Sequence, residues 1–251
     1  MTQSTSEPNQ FTIQNQAPQN QATDSSRQPL EVRHLSHDLR GPLNSILGFS
    51  ELLLEGVEGP LNDTQSEDIT AIRHSAQNLL QLINTVVDLS KLAADGLNLE
   101  SVHVSLQEVL QKSQQVIKRE TSVEFDVDLS QPMPLVSGDG DRIGQIILTV
   151  VRFYINSKKV NTISTHFEHD ATDATLHLVA SHLFISASEL EELFELTVHV
   201  DAGGHSKLTP GGLELPLAWQ LAAKQNGCLW VESQEDTGTT FFLKLPLFAS
   251  E

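Results

Sequence analysis

Two long stretches of helical periodicity in residues 30–94 constrain the fold more than any other feature of this sequence. Apolar side chains recur at steps of three and four residues in 35–54 and again in 69–89, as they do on one face of an α-helix. A short segment at 56–62, which contains a Gly-Pro pair, separates the two stretches. The sequence therefore predicts an antiparallel helical hairpin over residues 29–96.

Each of the two predicted helices is roughly 40 Å long. Asp63 or Thr64 is expected to cap the second helix. A single antiparallel pair leaves part of each apolar stripe uncovered, so we expect two copies of the hairpin to form a dimeric four-helix bundle. The periodicity alone favours the more general interpretation of any helical hairpin or coiled coil.

The first helix carries the run Leu-Ser-His-Asp-Leu-Arg-Gly-Pro-Leu-Asn over residues 35–44. Neutral imidazole is a nucleophile near pH 7, so His37 is a candidate phosphate acceptor, and Asp38 can orient the ring or accept its proton. Pro42 lacks a backbone N–H and is expected to bend the helix beside His37. The members of the run that we expect to shape the site are Arg40, Pro42 and Asn44.

Charge and composition exclude several classes of partner. The chain has 33 acidic and 15 basic residues and a formal charge of −18, which argues against nucleic acid and against an anionic membrane surface. Its single cysteine, Cys228, excludes an internal disulfide and is typical of a reducing compartment. No apolar run approaches the roughly 18 residues of a membrane span. We therefore expect a cytoplasmic protein.

The remaining sequence divides into a polar tail and a mixed region. Residues 1–28 are rich in Gln, Asn, Ser, Thr and Pro, so we expect a disordered tail. Strand and helix patterns alternate over residues 100–248, which predicts an α/β sandwich. The predicted strands are 123–129, 162–167, 175–180, 228–233 and 239–245, and the predicted helices are 104–120, 141–153, 188–194 and 213–225.

Residues 35–44 resemble the phosphoacceptor box of two-component sensor histidine kinases, and residues 82–92 resemble the segment that closes the same domain. The resemblance implies that His37 is the phosphorylated residue and Asp38 its acid–base neighbour. Many family members have Thr or Asn at the position of Gly41, where the side chain helps a water molecule to hydrolyse phospho-aspartate on the partner. Because glycine has no side chain, the resemblance does not extend to this phosphatase activity.

The mixed region resembles the ATP-binding catalytic domain of the same family, in the helix that begins near residue 139 and in the last two strands. The resemblance implies a sandwich of the histidine kinase ATPase type. Along this helix the family places two asparagines and a basic residue that hold magnesium and phosphates. The corresponding residues here are Thr149, Phe153 and Asn156. A phenylalanine cannot bind magnesium, which requires oxygen ligands.

Two glycine-rich motifs of the family are also altered. The family's adenine-binding motif, Asp-x-Gly-x-Gly, corresponds to Ala180, His182 and Phe184, and we expect Phe184 to fill the space of the base. The second motif keeps Gly211 and Gly212 but has Glu214 at a glycine position, which adds negative charge where a triphosphate would lie. These changes predict a degenerate domain that does not bind ATP. We expect neither a cofactor nor a metal site of its own.

Three functions remain open at this point. The first is a phosphorelay protein, similar in layout to dimeric histidine phosphotransferases, in which His37 exchanges phosphate with the aspartates of response-regulator receiver domains. In that case Mg²⁺ would be supplied with the receiver. The second is an ATP-dependent sensor histidine kinase with a divergent nucleotide pocket. The third is a non-catalytic regulator that docks on kinases or receivers.

Overall fold

The computed structural model describes residues 11–12, 28–57, 59–129, 132–157, 160–195, 198–200, 206–208 and 212–248. The chain forms two compact units. One comprises residues 19–97, and the other combines residues 1–18 with residues 98–251. No described helix is both long and apolar enough to cross a membrane.

The first unit is the helical hairpin that the periodicity predicts. Helix α1 spans Gln28–Leu54 and continues through Pro42, and helix α2 spans Asp63–Ala93. The two helices pack against each other. Leu43, Ala76 and Val87 are among the apolar side chains buried in this unit.

The cap of α2 differs from the expectation. The N-cap is Asn62, whose side chain accepts a hydrogen bond from the backbone N–H of Gln65, while the Gln65 side chain accepts one from the backbone N–H of Asn62. Asn62 has extended backbone angles, whereas Asp63 is already the first helical residue. The prediction of Asp63 or Thr64 as the cap was therefore wrong by one or two positions.

The second unit is an α/β sandwich. Its elements are β1 (Phe11–Thr12), β2 (Val102–Ser105), α3 (Leu106–Glu120), β3 (Glu124–Asp126), β4 (Leu135–Gly138), α4 (Gly140–Asn156), β5 (Thr162–His169), β6 (Asp173–Ala180), α5 (Ala187–Glu192), β7 (Val198–Val200), β8 (Ser206–Leu208), α6 (Glu214–Lys224), β9 (Cys228–Gln234) and β10 (Gly238–Pro246). The main sheet has the order β1-β9-β10-β6-β5-β3, in which only the β3–β5 pair is parallel. The fold class, α plus α/β, is as predicted.

The core of this unit lies between the main sheet and the helices. Buried side chains alternate with partly exposed ones along β6, β9 and β10, which is the pattern of a sheet with one covered face. Helix α4 packs between α3 and α6 and also contacts β6. It contributes the fully buried side chains of Ile143, Ile146, Ile147, Val150 and Val151.

Several short strands differ from the sequence prediction. Strand β4 and the pair β7–β8 were not predicted, and the predicted strand at 123–129 is only three residues long. Phe11–Thr12 lies in the segment expected to be disordered, yet it forms β1 and pairs with Ser233 and Glu232 of β9. The other residues of that segment up to 27 lie outside the described part of the chain.

Candidate phosphoacceptor site

His37 and Asp38 lie on the exposed surface of α1 in the first unit. Their side chains are 88% and 78% exposed. The Nδ1 atom of His37 lies 3.5 Å from Oδ1 of Asp38. A carboxylate on this side of the ring favours the tautomer that carries its proton on Nδ1. The lone pair of Nε2 is then available to a nucleophilic reaction.

The residues around His37 are held by contacts within the hairpin. Arg40 donates from Nη2 and Nε to Oδ1 of Asn84 on α2, at 2.8 and 3.3 Å. Pro42 and Asn44 are exposed, and a Cβ added at Gly41 would meet no atom within 4 Å. Sequence reasoning missed the role of Asn84, because its partner lies 44 positions away along the chain.

The altered residues of α4 lie on one side of that helix, at spacings of four and three. Thr149 is buried, at 9% exposure, and Asn156 is exposed. Phe153 is half-buried, and its ring packs edge-on against Phe241 of β10, with ring centroids 5.6 Å apart. A hydrocarbon ring packed in this way offers no ligand to a cation or a phosphate.

Phe153 belongs to an aromatic cluster with Tyr154, Phe194 and Phe241. The hydroxyl of Tyr154 lies 2.7 Å from the carbonyl oxygen of Leu178 and 2.9 Å from that of Thr239, and it accepts the N–H of Phe241 at 3.2 Å. Burial raises the pKa of this hydroxyl well above its usual value. The cluster therefore connects α4 to two strands of the sheet.

The positions that correspond to the adenine motif lie at and after the end of β6. Ala180 is fully buried, and His182 is exposed. The expectation that Phe184 fills the space of a base is wrong, because its side chain is 43% exposed. The neighbouring Leu183 and Ile185 are buried instead, at 5% and 6% exposure, so the alternation of the segment directs Phe184 outward.

Glu214 is the first residue of α6, and the preceding Leu213 provides no side-chain cap. The Oε2 atom of Glu214 lies 2.7 Å from the place where a Cβ on Gly212 would stand. The carboxylate therefore folds over the backbone at the helix N-terminus, where the helix dipole stabilises negative charge. This is the end of a helix that a bound phosphate would use. Gly211 lies outside the described residues.

Comparison with known proteins identifies the family. Residues 30–95, which include His37, match the His Kinase A (phospho-acceptor) domain. The chain is 31% identical over 227 residues to the histidine protein kinase DivJ of Caulobacter vibrioides. The chain belongs to the two-component sensor histidine kinase family. The similarity covers 86% of this chain and 37% of DivJ, so the chain spans less than two fifths of that relative's length.

Solved structures of histidine kinases share the fold. Full-length ShkA, solved in complex with AMPPNP, superposes with a TM-score of 0.65 over 88% of this chain and 47% of ShkA, at 23% identity. Histidine kinase ThkA, solved in complex with response regulator protein TrrA, superposes with a TM-score of 0.56 over 87% of this chain and 61% of that chain, at 18% identity. Both comparisons support a helical region followed by a kinase-type α/β domain.

Proposed function

We propose that this histidine kinase family member is a cytoplasmic phosphorelay protein that carries phosphate on His37 and exchanges it with the aspartates of receiver domains. The observation that supports this most directly is the exposed His37 with its Nδ1 beside Asp38. In the forward step, Nε2 of His37 forms a bond to phosphorus while the P–O bond to the receiver aspartate breaks. The electron pair of that bond stays with the aspartate as a carboxylate.

The altered nucleotide positions support the choice of an aspartyl phosphate, rather than ATP, as the phosphate source. Phe153 packs into an aromatic cluster at a position where the family has a magnesium-binding asparagine. The carboxylate of Glu214 lies at the N-terminus of α6, and it would repel a triphosphate there. We propose that the protein needs no cofactor of its own and that Mg²⁺ arrives with the acidic residues of the receiver.

A receiver is the partner that this chemistry requires, since it presents the phosphorylated aspartate. ThkA, whose fold is similar, was solved in complex with a response regulator. The first unit of this chain offers the exposed His37 as the matching acceptor. We therefore propose response-regulator receivers as the partners.

We also propose that the hairpin forms a homodimer. Leu39 and Ile46 on α1 are exposed and seven residues apart. Three side chains on α2 repeat the same spacing with 41–49% exposure, and these are Ile72, Leu79 and Val86. Stripes with a seven-residue repeat are typical of helices that pack in a bundle. Sedimentation equilibrium of the full chain should give the mass of a dimer, and Leu79→Glu should shift it toward that of a monomer.

Transfer of labelled phosphate from a purified, phosphorylated receiver tests the main proposal. The protein should take up label, and His37→Ala should abolish uptake. The matched control is His74→Ala, because His74 is also an exposed histidine of the hairpin. Uptake that survives in His37→Ala would contradict the assignment of the acceptor. Absence of uptake from every receiver tested would favour a non-catalytic regulator.

The second candidate function is ATP-dependent autophosphorylation, because the similarity to the kinase DivJ extends over 86% of this chain. Incubation with labelled Mg-ATP separates it from the phosphorelay proposal. We expect no label on His37 and no heat of binding in calorimetry at millimolar nucleotide. Label on His37 that depends on ATP would replace the proposed function by this one.

A further inference from the structure

The environment of Arg40 carries an inference that rests on the proposed function and extends it. We propose that Arg40 binds the phosphoryl group carried by His37 and that Asn84 is the residue that positions Arg40 for this purpose. Arg40 follows His37 by three positions on α1, and residues at this spacing are neighbours on a helix surface, with about 5–6 Å between their Cβ atoms. Both side chains are exposed.

The guanidinium of Arg40 is oriented from the opposite helix. Its Nη2 and Nε both donate to one oxygen of Asn84, at 2.8 and 3.3 Å. An arginine has five N–H donors in a fixed plane, and this contact uses two of them. Within the part of the chain that the structure describes, the other three donors of Arg40 have no hydrogen-bond partner. A phosphoryl group has the oxygen acceptors that match them.

The partner of Arg40 is neutral, and this is the second observation. Arg152 of α4, by contrast, pairs with the carboxylate of Glu120 at 3.0 Å. That carboxylate cancels the charge of Arg152, whereas the amide of Asn84 orients Arg40 and leaves its charge intact. An oriented, uncompensated cation beside an acceptor histidine is suited to an incoming dianion. The chain has a formal charge of −18, so an arginine whose oriented side chain is paired with a neutral residue stands out from its acidic background.

Substitutions at Asn84 separate orientation from charge. Asn84→Asp keeps the acceptor oxygen but adds a carboxylate, which should compete with the phosphoryl group for Arg40. The equilibrium constant for transfer from a phosphorylated receiver to His37 should fall about tenfold in Asn84→Asp and in Arg40→Ala. Asn84→Ala removes only the group that orients Arg40, so the equilibrium constant for transfer should fall by a smaller factor. The matched control is Asn78→Asp, which adds the same charge at another exposed asparagine of α2 and should change little.

A second experiment does not depend on any receiver. Phosphoramidate phosphorylates histidine directly, since its P–N bond breaks as the Nε2–P bond forms and the nitrogen leaves as ammonia. After this reaction the ¹⁵N resonance of Arg40 Nε should shift, while that of Arg152 should stay in place. His37→Ala identifies signals that arise from other histidines. If Arg40 only joined the two helices, its resonance should shift no more than those of other groups beside His37.

The outcomes distinguish the inference from the function on which it rests. Receivers that do not label the wild-type protein would contradict the proposed function, and the phosphoramidate experiment would still decide the role of Arg40. A wild-type protein that is labelled normally, with equal transfer constants in Arg40→Ala and Asn84→Asp, would overturn the inference alone. An Arg40 resonance that does not move on phosphorylation of His37 would overturn it as well.

Discussion

The helical hairpin and the α/β unit differ in the exposure of the positions that resemble motifs of the family. In the hairpin, His37 and Asp38 are exposed polar residues that keep the form needed for chemistry. In the α/β unit, Phe153 packs against Phe241 and Ala180 is fully buried, at positions that correspond by resemblance to nucleotide-binding motifs of the family. The two acceptor residues are thus left to solvent, whereas these two altered positions of the α/β unit are covered by the protein itself.

Tyr154 and Glu214 show how side chains of the α/β unit cover its own backbone groups. The hydroxyl of Tyr154 reaches three backbone groups of the sheet, and the carboxylate of Glu214 covers the start of α6. Buried polar groups must find partners, and helix N-termini favour an anion. Both requirements are met here by side chains of the chain. In the α/β unit these two side chains therefore satisfy buried backbone groups of the sheet and place negative charge at the N-terminus of α6.

Two glycines provide the sharpest test of this comparison. A Cβ at Gly238, which has φ of +86°, would collide with the carbonyl oxygen of Ala180 and the backbone of Ser181. Gly238→Ala should therefore destabilise the α/β unit by about 3 kcal/mol or more. At Gly41 the added Cβ meets open space, so Gly41→Ala should stabilise α1 by roughly 0.5–1 kcal/mol. Urea unfolding followed by circular dichroism measures both changes.

Equal effects of the two glycine variants would contradict the comparison, because they would mean that the scaffold of the α/β unit is no more constrained than the acceptor site. Phosphate uptake provides the complementary readout. Gly41→Ala should retain labelling of His37, since alanine adds only a methyl group at an exposed position.

Removal of the Tyr154 hydroxyl should have the next largest effect on the free energy of unfolding. Tyr154→Phe removes the partner of Leu178, Thr239 and Phe241 while it keeps the ring in the aromatic cluster. Because buried backbone groups lose a hydrogen bond, the free energy of unfolding should fall by about 2 kcal/mol. Fluorescence-monitored urea denaturation checks this value. A urea midpoint equal to that of the wild type would contradict this prediction, because it would show that the hydroxyl does not stabilise the sheet.

The sequence predicted those parts of the fold that have a strong period or a strong breaker. Both hairpin helices and the long strands at the C-terminus follow from apolar spacing. Strands β4 and β7 have four and three residues, so they are too short to display an alternation. Strand β7 pairs with the nearby β8, whereas β4 takes its conformation from pairing with β2, which is distant in sequence, and a local pattern does not contain that information.

The candidate site was predictable to the extent that it lies on one helix. The sequence alone places His37, Asp38 and Arg40 on α1. Asn84 belongs to the site through a contact between two helices, and nothing near it in the sequence signals that contact. Phe184 shows the reverse error, because counting along a motif does not reveal which side of the chain faces the core. Both differences come from tertiary packing.

The capping box of α2 gives a smaller effect that is confined to the hairpin. Asn62→Ala removes the acceptor of the Gln65 N–H bond, which measures 2.9 Å. Loss of such a cap should lower the stability of the first unit by about 1 kcal/mol. Hydrogen exchange of amides in α2 should accelerate, while amides of β10 should be unaffected. Asn78→Ala is the matched control, since Asn78 lies inside the helix and caps nothing. Faster exchange in β10 would contradict the expectation that the effect is confined to the hairpin.

The smallest predicted effect concerns the turn between β5 and β6. Asp170 accepts the backbone N–H groups of Thr172 and Asp173, both at 2.8 Å, and these bonds lower its pKa below the ordinary value of 3.8. A lowered pKa in the folded state means that the ionised carboxylate stabilises the fold above about pH 4. This contribution is lost as the pH falls through the folded-state pKa. Asp170→Asn keeps the acceptor oxygen but does not titrate, so the stability of the variant should depend less on pH below 4. Acid titrations of both proteins, monitored by circular dichroism, should therefore differ only in that range, and identical curves would show that the turn contributes nothing to acid unfolding.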